Sequence, residues 1–114
     1  MKAWSAALAS EVATWPQVKS RAMFGFTALY RGDRIFAVLP RTRGMETANS
    51  LAFKLEVPRP VLRARLENDA RIGSTQMQKA RWFTLELNSD GDLRDALSWL
   101  ERAYRAAGKR KKSQ

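Results

Sequence analysis

The sequence predicts an α+β domain with elements in the order helix, three strands, helix, two strands, helix. Three observations carry that reading. Residues 21–40 contain two apolar runs joined at Gly32-Asp33, a two-residue hairpin signal, because glycine takes the positive φ such a turn requires. Residues 81–87 alternate large apolar with other side chains, the period of a strand. Leu93, Ala96, Leu97, Leu100, Ala103, Tyr104 and Ala107 form a long apolar stripe at helical spacing.

The hairpin is the centre of the chain. A turn at Gly32-Asp33 pairs Tyr30 with Ile35, Leu29 with Phe36, Ala28 with Ala37, Thr27 with Val38 and Phe26 with Leu39. Since successive side chains of a strand point to opposite faces, one face then carries Phe26, Ala28, Tyr30, Ile35, Ala37 and Leu39. The other carries Thr27, Leu29, Phe36 and Val38. Both faces are apolar, so the hairpin needs cover twice, from helices on both sides or from helices and a partner. Arg31-Gly32-Asp33 spells an integrin-binding tripeptide, but turn chemistry accounts for it.

The other elements follow in order. Residues 2–14 place Trp4, Leu8, Val12 and Trp15 at helical spacing, with Pro16 disfavouring helix at Trp15. Trp4 and Trp15 are read as packed aromatics rather than nucleotide-stacking ones. Residues 40–50 form a polar loop in which Arg41 and Arg43 could fork onto a phosphate or carboxylate. Residues 51–55 read as a strand with Leu51, Phe53 and Leu55 inward. Pro58 and Pro60 open a second helix whose buried stripe is Val61, Leu62, Leu66 and Ala70. Ile72 begins a short strand before a loop, and the strand at 81–87 turns Phe83, Leu85 and Leu87 to one face. Ser89 as N-cap with Asp92 three residues on starts the last helix, and Gly108 sits at its C-terminal cap. Asp90 and Asp92 lack the spacing and closing glutamate of a calcium loop. The expected domain spans residues 1–108, with residues 109–114 a basic, disordered tail.

Composition bounds the function. The chain has 114 residues, 45% of them hydrophobic, with four tryptophans, which argues for one folded domain. It contains no cysteine and no histidine, removing the commonest nucleophile–base pairs and metal ligands. No apolar run approaches a bilayer span, and Glu11 interrupts the start before a signal segment could form. A cytoplasmic protein without a membrane partner is expected. The carboxylates fall in turns, caps and helical polar faces, and nothing places two of them around one bond. No glycine-rich phosphate loop is present, so a non-enzymatic protein with no cofactor and no metal is expected.

Charge is the anomaly. Twenty-one basic residues stand against eleven acidic ones, a net +10. Four of the cations lie at residues 109–112, and removing them leaves seventeen against eleven. Twelve of those seventeen cluster at residues 19–43 and 58–81, whereas the last helix is close to neutral. Such a field favours anionic partners.

Arg21-x-Met23-Phe24-Gly25, Leu29-Tyr30-x-Gly32, Ile35-Phe36-Ala37 and Trp82…Ala103-Tyr104, in this element order, resemble the TfoX amino-terminal domain and MmcQ/YjbR-like proteins. The specific part covers residues 21–39. The resemblance implies an antiparallel sheet backed by helices, similar to secretion chaperones. It also implies a link to regulation, since TfoX regulates competence, and to DNA, which YjbR-like proteins have been suggested to bind. The chain departs from TfoX in having a basic tail where TfoX has a further domain.

Three functions follow as expectations. The first is a nucleic-acid-binding or regulatory module, gripping nucleic acid or another polyanion through Arg31, Arg34, Arg41, Arg43, Arg59, Arg63, Lys79, Arg81 and the tail cations Lys109, Arg110, Lys111 and Lys112. The second is a protein-interaction module, a homodimer or chaperone-like binder that uses the second apolar face through Leu29, Phe36 and Val38. The third is a ligand pocket formed by Arg41, Arg43 and aromatic residues.

Overall fold

The computed structural model describes residues 3–41, 49–55, 60–70, 72–73, 82–89 and 91–108. The elements are α1 (Ala3–Val12), β1 (Val18–Met23), β2 (Phe26–Arg31), β3 (Arg34–Pro40), β4 (Ser50–Lys54), α2 (Pro60–Asn68), β5 (Ile72–Gly73), β6 (Trp82–Glu86) and α3 (Asp92–Gly108). They build an α+β fold. The strands form one antiparallel sheet in the order β1-β2-β3-β4-β6-β5.

Among the described residues four strands, not three, precede α2. The sequence reading runs residues 21–31 as a single strand. The chain instead folds back at Phe24-Gly25, where φ is +50° and +86°, and Met23 pairs with Phe26 across this two-residue turn. Two successive positive φ values are the signature of a type I′ turn, the connection that suits the twist of paired strands. The turn at Gly32, φ +64°, lies where the sequence places it and joins Arg31 to Arg34.

The register of β2 with β3 departs from the expected one after its first steps. Tyr30 pairs with Ile35 as read, but Leu29 then pairs with Ala37, Ala28 with Val38 and Thr27 with Leu39. Phe36 is the extra residue of a β-bulge, and beyond a bulge every side chain changes face. Phe36 and Ala37 therefore both enter the core, together with Leu29 and Leu39, while Val38 moves to the opposite face beside Ala28.

All three helices lie on the face that holds Leu29, Leu39, Leu51 and Leu85. Helices α1 and α3 pack on β3, and α3 also covers β2 and β4. Leu62 and Leu66 of α2 join the same cluster, and Arg65 of α2 lies 5.6 Å from the ring centroid of Trp99 on α3. Phe53 anchors the core between Phe83, 5.9 Å away, and Trp99, 5.4 Å away, both nearly parallel to it. Leu8 and Val12 fill the space under α1, and the buried Ser5 hydroxyl donates to the Pro40 carbonyl at 2.6 Å, fixing that helix to the end of β3.

The stripe expected on α2 is only partly inward. Leu66 is buried and Leu62 half-buried, but Val61 is 77% exposed and Ala70 is exposed. On α3 the expected stripe holds, with Trp99 added to it. At the start of α3, which begins at Asp92, the Asp92 carboxylate supplies its half of the expected capping box, accepting the Asn88 and Ser89 backbone N–H groups at 2.8 and 3.2 Å. No helix among the described residues is long and apolar enough to cross a membrane.

Candidate nucleic-acid interface

The register dictates what the second face of the sheet presents. One cross-strand row runs through Arg21, Ala28, Val38, Ala52 and Thr84. The row beside it carries Lys19, Tyr30 and Ile35, with Lys54 and Trp82 continuing on β4 and β6. On the other side stand Met23, Phe26 and Pro40. Ala28, Val38, Ala52 and Thr84 thus line a shallow trough, with the row of Tyr30, Ile35, Lys54 and Trp82 on one side and Met23 and Phe26 at its β1–β2 end on the other. Ala28, Ala52 and Thr84 are buried at its floor, and Phe26, Tyr30, Ile35, Val38 and Trp82 are half-buried along it. No helix among the described residues packs on this face. Among the described residues its cations are Lys19, Arg21 and Lys54, and its one carboxylate is Glu86. The Arg21 guanidinium lies 5.9 Å from the Tyr30 ring centroid, a cation–π contact on the trough wall.

At the end of the trough the β1–β2 turn projects. Phe24 at its tip is 83% exposed. The Arg41 backbone N–H donates to the Gly25 carbonyl at 3.1 Å, which holds exposed Arg41 beside that turn. The sheet therefore carries aromatic residues and cations together, at a place the sequence reading does not single out.

The candidate cations are distributed differently from expectation. Arg31 and Arg34 turn to the helix-covered face and serve the C-terminus of α3. Arg31 Nη1 donates to the Tyr104 carbonyl at 3.1 Å, and its guanidinium stacks 4.2 Å from the Tyr104 ring centroid. Arg34 Nη1 donates to the Ala107 carbonyl at 3.2 Å. The C-terminal turn of a helix carries the negative end of its dipole, so two guanidiniums there are held by charge-assisted bonds. Tyr104 completes the cluster: its hydroxyl donates to the Pro16 carbonyl at 2.8 Å, and its ring meets Trp15 at 5.1 Å and Phe36 at 5.7 Å. A Cβ at Gly108 would overlap the Arg31 guanidinium, so the end of α3 fits only glycine unless Arg31 moves.

Arg63 is exposed on α2, away from the open face. Arg43, Arg59, Lys79, Arg81, Lys109, Arg110, Lys111 and Lys112 lie outside the described residues, as do the pocket expected around Arg43 and most of the polar loop. Of the residues expected at a protein interface, Leu29 and Phe36 are fully buried beneath α3 within the single chain, and only Val38 lies on the open face. The bulge at Phe36 is the physical reason. Among the described residues no group of three or more aspartate and glutamate side chains gathers to hold a metal ion.

Compared with known proteins, the chain matches no protein-family model, no curated protein and no solved structure.

Proposed function

We propose that this protein is a small non-enzymatic module that binds single-stranded nucleic acid across the open face of its sheet. The observation that carries the reading is one sheet face bearing Phe26, Tyr30 and Trp82 together with Lys19 and Arg21, with all three helices on the other side. Every base offers a π-face for aromatic side chains, and phosphates need only clustered cations, so this chemistry is tolerant of sequence. Single strands suit a flat aromatic face better than duplexes, whose bases are already stacked. The net +10 charge draws such a ligand in. The resemblance to TfoX amino-terminal and YjbR-like proteins points the same way.

The test is fluorescence anisotropy of a labelled oligodeoxythymidylate about 12 nucleotides long, titrated across a salt series. Binding is expected to weaken steeply with salt and to persist in a 1–108 truncation. Lys19→Glu with Arg21→Glu removes two phosphate partners and should lower the log–log salt slope by about 1.4. Tyr30→Ala should weaken binding with the slope unchanged. Wild-type binding in both variants would remove the open face from the account.

A second reading, a protein-interaction module, has one observation in its favour: β1 is a six-residue edge strand of the sheet. An edge strand can accept another chain's backbone. Lys19 and Arg21 on that edge work against pairing with a second copy, because like charges meet across the new ladder. Sedimentation of the purified chain tests self-association through that edge.

A further inference from the structure

Among the described residues, Phe24 combines a positive φ with an exposed aromatic side chain that its own fold does not explain. A bulky side chain at φ +50° is an outlier, since the left-handed region crowds Cβ against the backbone, and type I′ turns take asparagine, aspartate or glycine there. Strain of this kind is ordinarily offset by what the side chain gains. Phe24 gains nothing from burial, being 83% exposed, the most exposed large hydrophobic residue among those described. A strained, exposed aromatic ring points to a contact made outside the chain.

Its surroundings indicate the kind of contact. Arg41 is held against the same turn through its backbone bond to Gly25, and the turn closes the end of the trough where Met23 pairs with Phe26. An exposed aromatic ring on a turn whose backbone is tied to an exposed arginine, at the end of a basic, aromatic-walled surface, matches a base with its phosphate. We infer that Phe24 is a base-stacking residue, seating one base at the end of a single strand laid across the open face, with Arg41 at its phosphate. This rests on the nucleic-acid reading above and extends it to a terminal subsite. Stacking ignores the sugar, so DNA and RNA strands bind alike at this position.

The experiment compares wild type, Phe24→Asn, Phe24→Trp and Tyr30→Ala by anisotropy with labelled oligodeoxythymidylate and oligouridylate of equal length, alongside thermal unfolding. Asparagine suits the turn, so Phe24→Asn should raise Tm by about 2–6 °C. The same variant should bind both oligonucleotides about five-fold to a hundred-fold more weakly, at an unchanged salt slope, because a stacked base and not a phosphate contact is lost. Phe24→Trp should bind at least as tightly as wild type. Wild-type affinity in Phe24→Asn, with Tyr30→Ala weakened, would overturn the inference and leave the open-face reading standing. Failure of the wild type to bind either oligonucleotide would overturn both. A Tm that does not rise would remove the strain on which the inference stands. Loss of self-association in Phe24→Asn, with oligonucleotide affinity intact, would assign the ring to a protein contact and overturn it too.

Discussion

Arg31 shows how far a cation's sequence position is from its use. Beside Gly32 and among other arginines it reads as a phosphate partner, yet its guanidinium lies on Tyr104 and donates to the end of α3. Arg31→Met keeps much of the aliphatic stem and removes the charge, so it should destabilise the fold by about 1–3 kcal/mol in urea unfolding. Gly108→Ala forces the same guanidinium aside and should cost no more than the loss of its bonds. The two substitutions together should therefore cost clearly less than their sum, the coupling expected of groups in contact. Additive costs would detach Gly108 from Arg31. Nothing in sequence spacing brings Arg31 next to Tyr104, seventy-three positions on; that proximity belongs to the folded chain. Phe36 is a similar case. A strand that alternates cleanly carries no mark of a bulge, so the expected face of Leu29, Phe36 and Val38 dissolves once one residue is inserted into the ladder.

At the level of elements, strong local signals survive and weak ones do not. The last helix was legible because its apolar stripe is long and its start carries an acidic cap. Asp92→Ala removes the acceptor of the Asn88 and Ser89 N–H groups and should cost about 0.5–2 kcal/mol by thermal or urea unfolding. Strands β4 and β6 were legible from alternation alone, and Leu51, Phe53, Phe83 and Leu85 are inward as read. Phe53→Ala opens a cavity between Phe83 and Trp99 and should cost about 3–5 kcal/mol, enough to threaten folding of a chain this size. Strand β1 was hidden because its turn uses phenylalanine where the usual signal is asparagine before glycine. Helix α2 was placed by its prolines, but its short apolar set is split between Leu66 inside and Val61 outside.

Among the described residues the molecule has helices on one face of an antiparallel sheet and aromatic residues and cations on the other. Both faces of the hairpin carry apolar side chains, as the sequence implies, but among the described residues helices cover only one of them. Which residues occupy each face depended on one bulge and one unannounced turn. Net charge favours an anionic partner class but locates no surface, because charge counts carry no geometry. The described arginines of the candidate set do not converge: Arg31 and Arg34 hold a helix end, Arg63 stands on α2, and Arg41 joins the open face at its edge.

The central claim is that the open face receives a single strand, and side-chain methyl and indole resonances report on it directly. On adding unlabelled oligodeoxythymidylate, the methyl signals of Ala28, Ile35, Val38 and Ala52 and the indole of Trp82 should shift together. Those of Leu8, Leu51 and Leu100, beneath the helices, should stay in place. Shifts confined to α2 and the end of α3, or no shift at all at concentrations that saturate anisotropy, would contradict the account.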